Sequence, residues 1–184
     1  STIDLAAALD RVRRWLDEGR ERGRDAAAEL VLATVDATGR PDLRIVPCRG
    51  WTGRGPILHT DVGTAKVRDM VERPSLVAAH LSWPDPRRQV RLRATAVLLG
   101  EDDLGREFAR RDLASQRRAW ARAGLDAPGP DADDPIPPPP TWTAVELVVD
   151  QVELWEIADG VEHRTTAGTT GPGPDFAPPA SAPT

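Results

Sequence analysis

The chain has 184 residues, 40% of them hydrophobic and 29% charged, with a net charge of −5 and a sequence pI near 5.3. That balance argues for one soluble domain and against nucleic-acid or membrane partners. A single cysteine, Cys48, excludes an internal disulfide and any multi-cysteine metal cluster, and no apolar run reaches the roughly 18 residues of a membrane helix. The first residues lack the basic-then-apolar layout of a secretory signal, so a cytoplasmic protein is expected.

Ile3, Leu5, Leu9, Val12 and Leu16 recur at helical spacing, which predicts an amphipathic helix over residues 2–22 capped by Thr2 or Asp4. The segment "ELVLATVDATGRPDLRIVPCRG" predicts a hairpin, with strands at 30–35 and 43–49 around a Gly39–Pro41 turn. "PILHT" predicts a third strand. Residues 65–73 predict a helix ended by Pro74, and "SLVAAHLSW" a fourth strand. In "QVRLRATAVLL", Val90, Leu92, Ala94, Ala96 and Leu98 share one face by strict alternation, with Gln89, Arg91 and Arg93 on the other. Residues 101–123 predict one or two helices, followed by a Pro-rich connector. "TAVELVVDQVELWEI" predicts two short strands and "VEHRT" a last one. The Pro- and Ala-rich tail from residue 167 predicts disorder, leaving residues 1–166 as the folded domain. Strands in two groups, without regular βαβ alternation, predict a mainly β, α+β fold: an antiparallel barrel with peripheral helices.

Few residues carry recognisable chemistry. There is no phosphate-binding glycine motif after a strand and no HExxH, and no metal site is expected. His59, His80 and His163 stand far apart and read as strand residues. Cys48 reads as a small buried hydrophobe. No catalytic acid or base stands out. The suggestive feature is Lys66, the lone lysine among 24 Lys and Arg residues, set just after Thr60, Gly63 and Thr64 at a helix start. A hydroxyl-and-glycine turn entering a helix offers N–H groups to an anion, and Arg44 and Arg49 stand at the end of a neighbouring strand. The same residues also read as solvated charges at loop ends. Arg111 and Ser115, four residues apart, suit a second anion or a plain helix surface.

In order, "LATVDATGRPDLRIVPCRG", "HTDVGTAK", "ERPSLVAAHLSWPDPRRQVRLRA", "ASQRRAW" and "VELWEI" resemble the pyridoxamine 5'-phosphate oxidase-like flavoproteins over residues 28–164. The resemblance implies a split β-barrel and a homodimer with FMN at its interface. It assigns Arg44, Thr60, Thr64 and Lys66 to the FMN phosphate, and Ile45, Val46, Pro47, Gln89 and Trp155 to the ring. His59, Arg49 and Arg164 are assigned to the same cofactor, Arg164 by a one-residue shift of register. Arg49, Arg111, Ser115 and His163 are implied as substrate contacts. The implied activity is hydride transfer from a small, possibly anionic substrate to flavin N5. The chain departs from the pattern at His59 and Glu107, where the family has tyrosines, and at Val161, where it has an arginine. A C-terminal RLxP ending is also missing. These departures point away from a vitamin B6 phosphate as substrate. The alternatives are an F420-dependent reductase on the same barrel and a non-catalytic flavin- or haem-binding protein, the haem held by His59 or His80.

Overall fold

The computed structural model describes residues 2–21, 28–84, 86–129 and 136–168. The chain runs α1 (Leu5–Glu21), β1 (Ala28–Val35), β2 (Pro41–Trp51), β3 (Pro56–Asp61), α2 (Ala65–Glu72), β4 (Val77–Pro84), β5 (Arg87–Leu98), α3 (Glu101–Ala109), α4 (Leu113–Arg122), β6 (Trp142–Ala158) and β7 (Val161–Gly168). The sheet order is β3-β2-β1-β4-β5-β6-β7, all described pairings between these strands are antiparallel, and β3 also pairs with β6. That last pairing closes six strands into a barrel and leaves β7 as a flap. The expected split-barrel class, mainly β with peripheral helices, is the one observed.

Alternation builds the barrel interior. Leu30 and Leu32 of β1, Val46 and Cys48 of β2, and Val90, Leu92, Ala94 and Ala96 of β5 are buried in one core. Leu98, expected on that face, is 38% exposed at the strand's end. The helix α1 lays Leu9, Val12, Trp15 and Leu16 against this core. It starts later than expected because Asp4 is the cap: its Oδ2 accepts from the N–H groups of Ala6 and Ala7 at 3.0 and 3.3 Å. Thr2 lies outside the helix and bridges to Thr166 of β7.

A second core lies outside the barrel wall. Ile57 and Ala144, facing outward from β3 and β6, meet Phe108 of α3, Ala119 of α4 and Trp142. This cluster docks the α3–α4 pair beside β3, and so positions one of the sites described below. The turn from β2 to β3 is pressed against β6. Gly55 has φ +150°, and a Cβ there would stand 2.1 Å from the Leu147 carbonyl oxygen, so only glycine fits without a shift.

Two sequence expectations change. The two short strands expected within residues 142–158 are one 17-residue strand. Its start pairs with β3 and its second half with β7, while β5 pairs along its other edge from Val145 to Glu156. The polar pair Asp150–Gln151, which reads as a break, falls where the β5–β6 register shifts and β7 takes over from β3 as the neighbour. The tail boundary also moves: Ala167, 2% exposed, and Gly168 belong to β7. The expected disorder of the remaining tail, and part of the Pro-rich connector, lie outside the described residues.

Candidate functional site

The side chains singled out in the sequence fall into three groups. The first surrounds the start of α2. Arg44 shares the inward parity of Val46 and Cys48 but stands nearer the strand's start, and its guanidinium reaches Thr34 Oγ1 at 2.7 Å and pairs with Asp42. Thr34, 1% exposed, donates in turn to Asp69 Oδ2 of α2 at 2.8 Å, so a buried acceptor holds Arg44 in place. Thr60 and Thr64 bring their hydroxyls to 3.5 Å. Thr64 occupies the N-cap position of α2 yet does not cap it; its hydroxyl donates to the Asp61 carbonyl at 2.9 Å. The first-turn N–H groups of α2 therefore get nothing from that side chain. Lys66 is half-buried, and among the described residues its ammonium makes no hydrogen bond or ion pair. Burial, then the nearby Arg44 guanidinium, lower its pKa, against the pull of Asp61. Two cations are thus gathered near a helix start that also carries two hydroxyls, a set of groups that suits an anion.

The second group lies on the outer face. Gln89 on β5, Trp155 on β6 and Arg164 on β7 are direct cross-strand neighbours and line one cavity of about 220 Å³. The Trp155 side chain donates to Glu162, which also accepts from Arg164 Nε at 2.9 Å; the two bonds lower the Glu162 pKa, that from Trp155 foremost.

The third group lies over the α3–α4 link. Arg49 is the extra residue of a β-bulge between Cys48 and Gly50, which turns it toward a cavity of about 240 Å³. His59, Glu107, Arg111 and Ser115 share that cavity. His59 Nε2 is 3.1 Å from Glu107 Oε1, and its Nδ1 is 3.0 Å from Arg111 Nη1. Since Arg111 can only donate, Nδ1 must accept and Nε2 must carry the proton toward Glu107. The ring is thus neutral, in agreement with a pKa lowered chiefly by burial. Arg111 and Ser115 do not share a helix, as their spacing had suggested. Arg111 lies in the link, Ser115 in the first turn of α4, and Arg111 Nη2 donates to the Ser115 carbonyl at 3.3 Å. The Arg111 Nε is buried without a partner.

One pH effect follows from this ring. The unfolded chain protonates its imidazole near the ordinary value of about 6.5, whereas folded His59 takes up its proton only at lower pH. Stability should therefore fall as pH drops below about 6.5 and keep falling until folded His59 is itself charged. Melting temperatures from pH 7.5 to 5 should show this slope in the wild type. His59→Gln should flatten it, and an unchanged slope would refute the assignment.

The remaining candidates are placed as follows. Ile45 points outward and is 65% exposed, Val46 points into the barrel, and Pro47 is half-buried. His163 is exposed on β7 opposite Glu156 and does not line the Arg111 cavity. His80 is paired between Val31 and Arg91. Burial pushes the Cys48 thiol up to about 11, which suits a packing residue rather than a nucleophile. Sequence reasoning passed over Thr34 and Asp69, whose support of Arg44 is visible only once β1, β2 and α2 meet; an aspartate on a short amphipathic helix gives no local sign of burial.

The sequence profile described as Pyridoxamine 5'-phosphate oxidase matches residues 26–156. The chain belongs to the pyridoxamine 5'-phosphate oxidase family. Pyridoxine/pyridoxamine 5'-phosphate oxidases of Rubrobacter xylanophilus and Cupriavidus necator are each 30% identical to it. The first alignment covers 87% of this chain and 80% of the relative, the second 96% and 89%. Among solved structures, a pyridoxamine 5'-phosphate oxidase-related, FMN-binding protein from Nostoc punctiforme superposes with a TM-score of 0.68 at 24% identity, covering 84% of this chain and 86% of that one. PhzG from Burkholderia lata 383, solved with tetrahydrophenazine-1-carboxylic acid, gives 0.68 at 21% identity over 85% and 83%. At such identities these structures show a shared fold. No described helix is long and apolar enough to cross a membrane.

Proposed function

We propose that the protein is an FMN-dependent oxidoreductase that takes hydride from a small anionic substrate other than a vitamin B6 phosphate. The observation that carries this reading is the half-buried Lys66 ammonium, without a partner among the described residues, beside Arg44 at an α2 start that Thr64 leaves uncapped. The donor set fits a phosphate monoester: two cations, the Thr60 hydroxyl and helix-start N–H groups, joined by the Thr64 hydroxyl once it turns from the Asp61 carbonyl. Arg44 and Lys66 bind the phosphate, and Thr60 and Thr64 orient it. Gln89 and Trp155, side by side on β5 and β6, offer an amide and an indole to a polar heterocycle. Bound FMN supplies the hydride acceptor, so the chain itself needs no catalytic acid. Arg49 and Arg111 hold the substrate's negative charge, and His59 fixes Arg111.

The working form is a homodimer. Leu43 and Ile45, each 65% exposed, stand on the outer face of β2 next to Ala33 and Val31 of β1. Such an apolar patch suits burial against a second copy, which would add residues to the flavin cleft. Light scattering after gel filtration should report a dimer.

The decisive test is the absorbance of the purified protein with added FMN. Flavin bands near 370 and about 450 nm that stay with the protein through desalting are expected. A protein that takes up no FMN at millimolar concentration overturns the reading.

A further inference from the structure

The cavity over the α3–α4 link holds a buried carboxylate of its own, and its charges do not cancel. We infer that Glu107 makes this cavity select a singly charged carboxylate substrate over a doubly charged phosphate monoester. The inference rests on reading the cavity as the substrate side of the proposed flavin site.

Glu107 is fixed from both sides. Its Oε1 accepts from His59 Nε2 at 3.1 Å and its Oε2 from Arg110 Nη1 at 3.1 Å, with 6% of the side chain exposed. Gly50 makes room for it, since a Cβ at that position would stand 3.2 Å from Oε1. Held in this way, the carboxylate stays in the cavity wall and does not swing out to water. Across from it stands a cation prepared to bind. Arg111 is held by His59 Nδ1 at 3.0 Å and the Ser115 carbonyl at 3.3 Å, while its Nε remains a buried donor without a partner. A buried donor left unpaired is costly, and a flat carboxylate meets a guanidinium edge with two parallel hydrogen bonds.

The sum of charges sets the preference. Arg49, Arg110 and Arg111 face Glu107 and Asp112 around the cavity, an excess of one positive charge with His59 neutral. A monoanion brings the cavity to neutrality. A dianion leaves one negative charge uncompensated, close to the Glu107 carboxylate and partly shielded from water, where like charges repel most strongly. The repulsion falls on the phosphate monoester and spares the carboxylate, which is how a pocket discriminates between two anions of otherwise similar shape.

Calorimetric titration of the full-length, FMN-saturated protein with benzoate and with phenyl phosphate at pH 7.5 tests this. Benzoate should bind at least about tenfold more tightly than phenyl phosphate. Glu107→Gln keeps the length and an acceptor for His59 but removes the charge. It should tighten phenyl phosphate by about tenfold and leave benzoate within about threefold. Arg111→Ala should weaken both. A wild type that prefers phenyl phosphate or fails to bind benzoate overturns the inference, as does an unchanged ratio in Glu107→Gln. The wild-type ratio decides the case alone if the variant does not fold. Flavin uptake is read separately by absorbance. Uptake without anion discrimination defeats only this inference. Discrimination, titrated without added FMN, in a protein that takes up no flavin defeats only the cofactor assignment.

Discussion

Lys66→Ala should weaken FMN by about 10- to 150-fold, the loss of one charge-assisted hydrogen bond of about 1.5–3 kcal/mol. Riboflavin, which lacks the phosphate, separates this effect from any damage to the ring site: the variant should bind riboflavin as the wild type does. Fluorescence quenching of each flavin on titration gives both constants. Lys66 is suited to this experiment because, among the described residues, it makes no hydrogen bond or ion pair that its removal would break, so the fold should be little affected. Arg44→Ala should weaken FMN to a similar degree but also strip a partner from Thr34, whose hydroxyl bonds buried Asp69. It should therefore lower the melting temperature as well. Equal affinity for FMN and riboflavin in the wild type would show that no phosphate binds here. Lys66→Arg tests the shape of the group. A planar fork in the space of a compact ammonium should bind FMN less well, and near-normal affinity would mean that charge alone matters.

Phe108→Ala should destabilise the fold by about 3–5 kcal/mol, the cost of a large buried aromatic and the cavity left behind. Phe108 is fully buried and packs edge-on against Trp142 with ring centroids 4.8 Å apart; Trp142 in turn meets His59 at 5.1 Å. This stack holds α3 to β3 and β6 and sets where Glu107 and Arg111 stand on either side. A urea melt should show the loss. At low denaturant the variant should also lose selectivity among anions while still taking up FMN, because the α2 site belongs to the other core. A variant as stable as the wild type would mean that α3 is held by something else.

Much of the fold was legible because barrel strands alternate so regularly: the inward residues of β5 could be read directly, and Pro74 marked the end of α2. What failed to show locally were features created by distant partners. β6 reads as two strands because Asp150 and Gln151 are polar, yet β5, far back in sequence, pairs on both sides of them, and the end of β7 pairs with Gln151. The Arg49 bulge exists only relative to β3. Glu107 looks like a solvent-facing helix charge, flanked as it is by Arg106 and Arg110, and becomes a buried wall only when α3 docks against His59. For the site, residue chemistry pointed to Lys66 and Arg44 but left them level with ordinary surface charge. Gln89 gave only a weak sign of its own and Trp155 read as core; family resemblance put both with Arg164 at the cofactor, and adjacent strands bring the three together. His163 is the candidate that a single chain leaves apart from its expected companions.

The closure of the barrel has a consequence for how the chain is made. Ile57 and Asp61 of β3 find their partners in Glu146 and Trp142, so the last seam joins a segment synthesised early to one synthesised late. While the ribosome is still extending the intervening residues, β3 presents an unpaired edge that no nearby strand can cover. Such distant pairing slows folding, because the chain must lose much of its freedom before the seam returns any energy. Nascent chains that stall before Trp142 are therefore the ones most exposed to edge-to-edge aggregation, and release of β6 is the event that ends that exposure.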